Sequence, residues 1–155
     1  MSHQYEARVT WTRQSTEKFT DNRYSRVHEW AFDGGISVRA SASPSVVPLP
    51  MSAADAVDPE EGLVASVSSC HMLYFLFFAA KRGFLVDRYE DEAVGVLEKN
   101  EKGKMFMSKI TLRPAITFSG DKSPSADDLN AMHHSAHEEC FIASSLKTDI
   151  TIEGR

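Results

Sequence analysis

Two cysteines carry most of the chemistry that this 155-residue sequence suggests. Cys70 lies in the uncharged segment 62–80 and is followed directly by His71, whereas Cys140 lies seventy residues further on, after a histidine-rich stretch. A thiolate is a nucleophile and a metal ligand, but it needs a nearby positive charge to form at neutral pH. The sequence therefore suggests three functional interpretations: a redox pair, a metal site or a Cys-His nucleophile. The alternative is that both cysteines are small residues of the core.

The positive charge for Cys70 has to come from elsewhere in the fold. His71 is a poor partner, because adjacent residues on a helix point about 100° apart. We expect an arginine of the early strands, and the candidates are Arg23, Arg26 and Arg39. A Cys-His hydrolase is disfavoured, since no glycine-rich turn surrounds the cysteine.

A metal site near the second cysteine is the competing interpretation. His133, His137 and Cys140 recur at i, i+4 and i+7 of a predicted helix, with Glu138 as a further oxygen ligand. Histidines one turn apart do bind zinc. The segment nevertheless lacks the H-E-x-x-H pattern, a fourth ligand and a catalytic base. We therefore expect histidines on a polar helix edge and no metal.

Glu60 and Cys140 each admit a functional and a structural interpretation. Glu60 precedes Cys70 by ten residues, which is about 15 Å along one helix. One site can use both only if the helix breaks or two subunits contribute, which favours a homodimer; otherwise Glu60 is a first-turn carboxylate stabilised by the helix dipole. Cys140 is either a core residue or a thiol that condenses with a sulfenic acid, which requires Cα atoms within about 7 Å.

The elements that must position these residues follow from hydrophobic periodicity and turn residues. They are a strand over 5–11, two strands around the Asp-Gly-Gly turn 33–35, an irregular proline-rich connection over 43–57, a helix over 59–82, strands over 89–100 and 104–120, a helix over 123–140 and a strand over 145–154. Runs of strands without alternating βαβ units predict an α+β fold with antiparallel sheets.

The long helix should be buried for much of its length. Asp58 can cap it, Pro59 suits its first position and Gly83 can end it. The segment 62–80 is long enough to span a bilayer, but serines and His71 dilute its first half, and the continuous apolar run of about ten residues is typical of a core helix. We expect no membrane partner.

The composition limits the classes of protein to which this chain can belong. The net charge is −5, from 17 basic and 22 acidic residues, without a basic block that would indicate nucleic-acid binding. The first residues contain no apolar leader, and two cysteines are too few for a secreted disulfide scaffold. We expect a single domain over residues 1–155 and a cytoplasmic location.

Two motifs together resemble the OsmC/Ohr family of thiol-dependent peroxidases. They are DPEEGLVASVSSCH at 58–71 and AHEECFIASSLK at 136–147. The resemblance extends over nearly the whole chain: an early hairpin, a Pro-Glu helix start, a cysteine ten residues later and a late helix that ends in a cysteine. Each motif alone is weak, but their order and spacing make the pair specific, and the variant residues indicate a divergent branch of the family.

The resemblance implies an OsmC-like fold, with antiparallel sheets packed around long buried helices in an intertwined homodimer. Cys70 then matches the peroxidatic cysteine, Cys140 the resolving cysteine, and Glu60 the carboxylate of the site. Arg26 is our choice for the arginine that stabilises the thiolate.

The implied activity is the reduction of organic hydroperoxides through a Cys70 sulfenic acid and a Cys70–Cys140 disulfide. An external dithiol, for example a lipoylated protein, would reduce the disulfide, and no bound cofactor is needed. Apolar walls from Met72, Phe75 and the proline-rich loop would favour bulky substrates. His71 departs from the apolar aromatic of the Ohr group. The alternative function is a non-enzymatic small-molecule or lipid-binding dimer with residual thiol chemistry.

Overall fold

The computed structural model describes residues 1–154. Its contacts divide the chain into two compact units, Met1–Gly62 and the chain from Leu63 onward. The expected single domain over 1–155 stays a prediction, and Arg155, the last residue of that range, lies outside the described residues.

The first unit holds a three-stranded antiparallel sheet. Its strands are β1 (Ala7–Thr10), β2 (His28–Phe32) and β3 (Ser37–Ala40), and β2 lies in the middle. Gly35 takes a φ of +80° in the turn between β2 and β3, a conformation that glycine adopts without a Cβ clash. The predicted hairpin around residues 33–35 is therefore confirmed.

The proline-rich connection that follows β3 is irregular, as predicted. Its regular backbone pairing is one parallel bridge between Ala40 and Val57. The buried hydroxyl of Ser41 accepts the N–H of Ala53 and donates to the carbonyl of Ala42, both at 3.0 Å. These bonds satisfy polar groups that an irregular segment would otherwise bury unpaired.

Helix α1 (Pro59–Lys81) begins and ends where the sequence indicates. The Asp58 carboxylate accepts the N–H of Glu61 at 2.8 Å, and the Glu61 carboxylate accepts the N–H of Asp58 at 3.2 Å, which forms a capping box. Gly83 has a φ of +78°, and the N–H of Phe84 donates to the carbonyl of Ala79. The helix is thus fixed at both ends by local hydrogen bonds.

The expectation that α1 is buried for much of its length is wrong for the single chain. Its fully buried residues form one stripe, at Val67, His71, Phe75 and Ala79. On another face Leu73 and Phe77 are 62% and 57% exposed. By length and composition alone α1 could also cross a membrane, a test that core helices of soluble proteins pass as well.

The two long strands expected over 89–100 and 104–120 are four strands. They are β4 (Leu85–Asp91), β5 (Val94–Lys99), β6 (Met105–Leu112) and β7 (Pro114–Ser119). β4 pairs with β7 in a two-stranded antiparallel sheet, and β5 pairs with β6 as a hairpin closed near residues 100–104.

A single carboxylate marks the point where the chain changes sheets. Asp91 Oδ1 accepts the N–H of Arg113 at 2.6 Å, next to the break between β6 and β7. Pro114 opens β7 and cannot donate to a neighbouring strand. Because β7 pairs with β4 alone within the described residues, its other edge tolerates the proline.

The C-terminal part adds two helices and a strand. Helix α2 (Ala126–Glu139) begins with a capping box between Ser125 and Asp128, and a short helix α3 (Phe141–Ser144) follows it. Strand β8 (Asp149–Ile152) pairs with β6 in a parallel register. The predicted α+β fold with antiparallel sheets is confirmed, whereas the parallel β6–β8 pair and α3 were not predicted.

Two apolar clusters form the core of the second unit. The first joins α1, α2 and the start of β4 through Phe75, Ala79, Phe84, Met132 and Ala136. The second joins α1 to β6 through Val67, Ile110 and Leu112. Packing of α1 on α2 fixes the positions of the other residues on these two helices relative to each other.

Candidate active site

Cys70 and Cys140, seventy residues apart in sequence, are neighbours in the second unit. The Cys140 side chain lies close enough to Cys70 for the two to influence each other's ionisation, and both cysteines are free thiols. Cys140 is buried, whereas Cys70 keeps partial exposure. This arrangement suits a pair in which an outside reagent reacts with the partly exposed Cys70 sulfur first and the buried Cys140 sulfur reacts afterwards.

The backbone holds Cys140 at a junction between two helices. It ends α2 and starts α3 with an extended conformation, φ −69° and ψ 108°. The N–H of Ala143 donates to its sulfur at 3.4 Å. The sequence predicted Cys140 at the end of the apolar face of α2, and the extended junction turns its thiol toward α1.

The surroundings keep Cys140 protonated at neutral pH. Burial, followed by the interaction with the nearby Cys70, raises the pKa of the Cys140 thiol to about 11, and the N–H of Ala143 opposes this only in part. Desolvation penalises a thiolate because its charge loses water. Of the two sulfurs, Cys140 is therefore poorly suited to be the first nucleophile.

A tyrosine that the sequence analysis missed lies beside the two thiols. Tyr74 is one helical turn after Cys70, and its ring meets Phe141 edge-on, with centroids 5.5 Å apart and an interplanar angle of 88°. Burial, then the charges of Glu139, Cys70 and Cys140, raise the pKa of its phenol. The i, i+4 spacing from Cys70 is the signal that could have found it.

His71 faces away from the thiols, as the helical spacing predicted, and has a partner of its own. Its Nε2 lies 3.0 Å from Nδ1 of His133, and the two rings stack at an interplanar angle of 9°. Burial lowers the pKa of His71 to about 4, and the charges of His133 and His137 act in the same direction. The sequence placed His133 on a polar edge; the structure places it in this pair.

The alternative metal set is not assembled. Among residues 1–154 no group of three or more histidine, cysteine or acidic side chains is arranged to hold a metal ion. The Cys140 sulfur accepts the N–H of Ala143, and Nδ1 of His133 lies 3.0 Å from Nε2 of His71. Cys140 and His133 thus have separate partners, whereas the buried Nδ1 of His137 has no hydrogen-bond partner within the described residues.

Glu60 is not brought to the thiol pair along its own helix. It lies in the first turn of α1, partly buried. Within residues 1–154 its carboxylate has no hydrogen bond or ion pair. Because α1 is unbroken, about 15 Å separate Glu60 from Cys70 along the axis.

The three candidate arginines differ in how they are held in the first unit. The Arg26 guanidinium donates to the carbonyls of Asn22 and Tyr24 and to the Asn22 side chain, and it lies 3.7 Å from the centre of the Tyr24 ring. Arg39 makes an exposed ion pair with Asp55 at 3.5 Å. Within the described residues the Arg23 guanidinium has no partner. Arg26 is therefore the most firmly oriented of the three.

The two residues expected to line a substrate pocket occupy different environments. Phe75 is fully buried in the core, in ring contact with Tyr89 and His133. Its ring packs the inside of the second unit, and its role as a pocket wall stays a prediction. Met72 is partly buried.

The family follows from a match that covers most of the chain. The model of the OsmC-like protein family matches residues 52–154, which include both cysteines and Glu60. The chain belongs to the OsmC-like family. The resemblance that the two motifs carry is thereby confirmed.

Solved structures support the same assignment for this OsmC-like chain. An OsmC-like protein of unknown function from Vibrio cholerae shares 53% sequence identity, with a TM-score of 0.98 over 99% of this chain and 100% of that one. An organic hydroperoxide resistance protein from Elizabethkingia anophelis gives a TM-score of 0.68 at 14% identity, over 100% of both chains. The organic hydroperoxide resistance protein OhrB of Bacillus subtilis gives 0.63 at 16% identity, over 97% of this chain and 98% of that one.

These similarities establish the OsmC-like α+β fold. At 14% and 16% identity, the hydroperoxide resistance proteins share the fold with this chain. No curated protein matches the sequence.

Proposed function

We propose that this OsmC-like chain is a thiol-dependent peroxidase that reduces organic hydroperoxides. The observation that carries the proposal is the proximity of Cys70 and Cys140, in which a partly exposed cysteine lies near a buried, protonated one. The organic hydroperoxide resistance proteins of E. anophelis and B. subtilis, which share the fold, support the choice of reaction.

The proposed cycle has two thiol steps. The Cys70 thiolate attacks one peroxide oxygen, so that R–OOH and Cys70–SH give R–OH and Cys70–SOH. Cys140 then attacks the sulfenic sulfur, which gives the Cys70–Cys140 disulfide and water. An external dithiol, of which a lipoylated protein is one kind, reduces the disulfide by exchange through its thiolate. A cytoplasmic location suits a disulfide that forms only transiently.

A second copy of the chain completes the proposed site. Leu73 and Phe77 on α1 and Phe141 on α3 expose large apolar side chains, which soluble proteins usually cover with a partner. Glu60 and Cys70 are too far apart on one helix to share a site. In an intertwined homodimer, one copy would supply Cys70 and the other would supply Glu60.

Arg26 is the arginine that we propose for this site. Its contacts use three of the five guanidinium N–H groups, and the other two remain available for a thiolate or a peroxide oxygen. A guanidinium held in place can stabilise the negative charge that develops on the departing oxygen. Glu60, which has no partner within residues 1–154, is suited to accept one of these two N–H groups and to leave the other for the reacting atoms.

The test follows each sulfur with time. The reduced protein is treated with one equivalent of cumene hydroperoxide, quenched at intervals and analysed by mass spectrometry. We expect rapid oxidation at Cys70 followed by an intramolecular Cys70–Cys140 disulfide. Cys70→Ser should abolish turnover, whereas Cys140→Ser should allow one oxidation, trapped as a sulfenic acid, without the disulfide.

The control and the contrary outcome are equally specific. Ser69→Ala, next to Cys70 on an exposed position of α1, should leave both steps unchanged. A Cys70→Ser protein that retains its peroxidase rate would show that the reaction does not run through this thiol.

A second function, binding of a small apolar molecule without turnover, is favoured by a cavity in the second unit. The cavity has a volume of about 280 Å³ and lies between β7, α2 and β8, with Asn130 and His133 among its lining residues. Unreactive thiols in the peroxide assay, together with saturable binding of a fluorescent apolar probe, would favour this function over the peroxidase.

A further inference from the structure

Tyr74 lies near both cysteines of the thiol pair. On α1 it follows Cys70 by one turn, and its ring contacts Phe141, the residue directly after Cys140. The side chain is half-buried. Within residues 1–154 its hydroxyl has no hydrogen-bond partner, so it is free to donate to an atom that appears during a reaction.

The electrostatic surroundings keep this hydroxyl protonated. Burial, the Glu139 carboxylate and the two cysteines all raise the pKa of the phenol. The phenol therefore remains a proton donor when negative charge develops on the neighbouring sulfur or on an oxygen attached to it.

The second step of the proposed cycle needs such a donor. When Cys140 attacks the sulfenic acid of Cys70, the S–O bond breaks and an S–S bond forms. The sulfenic sulfur is reduced, the Cys140 sulfur is oxidised, and the departing hydroxyl must take up a proton to leave as water. That proton comes from the Cys140 thiol, which burial keeps protonated at neutral pH.

We propose that Tyr74 is the general acid of the resolving step, and that its phenol gives its proton to the oxygen leaving Cys70 and regains one from the Cys140 thiol. The balance is Cys70–SOH plus Cys140–SH to the disulfide plus H₂O, with the phenol unchanged. The role rests on the proposed peroxidase function. A proton passes readily between groups of similar acidity, and the phenol and the thiol are both shifted upward.

The test separates the two oxidation steps in Tyr74→Phe, which keeps the ring contact with Phe141 and removes only the hydroxyl. After one equivalent of cumene hydroperoxide at pH 7, we expect Cys70 to be oxidised within twofold of the wild-type rate. We expect the disulfide to form at least tenfold more slowly, so that sulfenic acid accumulates and reacts with a dimedone probe. Tyr89→Phe is the matched control, because the Tyr89 hydroxyl is buried without a partner in the described part of the chain.

A second variant tests the proton itself. 3,5-Difluorotyrosine at position 74 ionises more readily than tyrosine and keeps its shape. The rate of disulfide formation in this variant should match the wild type at low pH. It should fall as the pH rises through the pKa of the fluorinated phenol, and Tyr74→Phe should not show this fall.

Three results would overturn the role of Tyr74. Disulfide formation at the wild-type rate in Tyr74→Phe, with normal oxidation of Cys70, removes Tyr74 and leaves the peroxidase intact. Equal slowing of both steps shows a structural effect on Cys70. A wild-type Cys70 that peroxide does not oxidise removes the peroxidase function and this role with it.

Discussion

The imidazoles of His71 and His133 stack in parallel across two helices, with 3.0 Å between Nε2 of His71 and Nδ1 of His133. One nitrogen of this pair must carry a hydrogen and the other a lone pair. Cys70 precedes His71 on α1, and Cys140 follows His133 by two turns on α2. The pair therefore ties together the two helices that carry the thiols.

Acidification should destabilise the protein through this pair. The pKa of His71 is about 4 in the fold against 6.5 for an unperturbed histidine, because burial opposes its charge and His133 and His137 add to the effect. Between these values the unfolded chain binds the proton and the folded chain does not. Stability is therefore complete above pH 6.5 and falls as the pH drops toward 4, by roughly 3 kcal/mol for this shift.

Urea unfolding between pH 4 and pH 7.5 measures this loss. Burial also lowers the pKa of His133, and the Asp91 charge opposes the shift only in part, so His133 contributes with the same sign. His134 is exposed, and His134→Gln should retain the full pH dependence. A His71→Phe protein with the same loss on acidification would contradict the assignment to His71.

Removal of both imidazoles should cost less stability than the sum of the losses from the two single removals. His133→Leu leaves the buried His71 nitrogen without its partner, which costs about 1–3 kcal/mol. The double variant with His71→Leu removes both polar groups and should recover part of that loss. A double-mutant cycle by urea unfolding measures the coupling, and a coupling near zero would show that the two rings contact without supporting each other.

Arg26→Lys should slow the first oxidation step at least tenfold, because an ammonium group cannot replace a planar fork that is held by Asn22 and Tyr24. The measurement is the rate of Cys70 oxidation by cumene hydroperoxide under pseudo-first-order conditions. Arg39→Lys is the matched control, since Arg39 makes an exposed ion pair with Asp55, which is worth little. If Arg39→Lys or Arg23→Lys lowers the rate and Arg26→Lys does not, the arginine of the site is one of those alternatives.

Charges on the exposed face of α1 should separate the proposed dimer. Burial of each large apolar side chain at an interface contributes about 1.5–3 kcal/mol, and Leu73→Glu with Phe77→Glu replaces two of them by carboxylates. Analytical ultracentrifugation should show two chains in the wild type and one in the variant, with Lys81→Glu as a control on the last turn. A monomeric wild type, or one that floats with lipid vesicles, would contradict a second copy as the cover of this face.

Features that depend on a few neighbouring residues were predictable from the sequence. Asp58 and Glu61 cap α1, Gly83 ends it, and Ser125 with Asp128 caps α2, because each hydrogen bond closes within three to five residues. The two motifs around Cys70 and Cys140 also indicated the family before any fold was known.

Relations over long sequence separations were decided only by the packed structure. Three such relations have no local signal in the sequence, because they depend on how apolar faces pack. They are the parallel pairing of β8 with β6, the change of sheet at Asp91 and the partner of His71. The same holds for the thiols: the sequence supplied two cysteines seventy residues apart, and the packing of α1 on α2 brought them close together. Local hydrogen bonds set where each helix begins and ends, whereas burial of the shared core sets which of their residues meet.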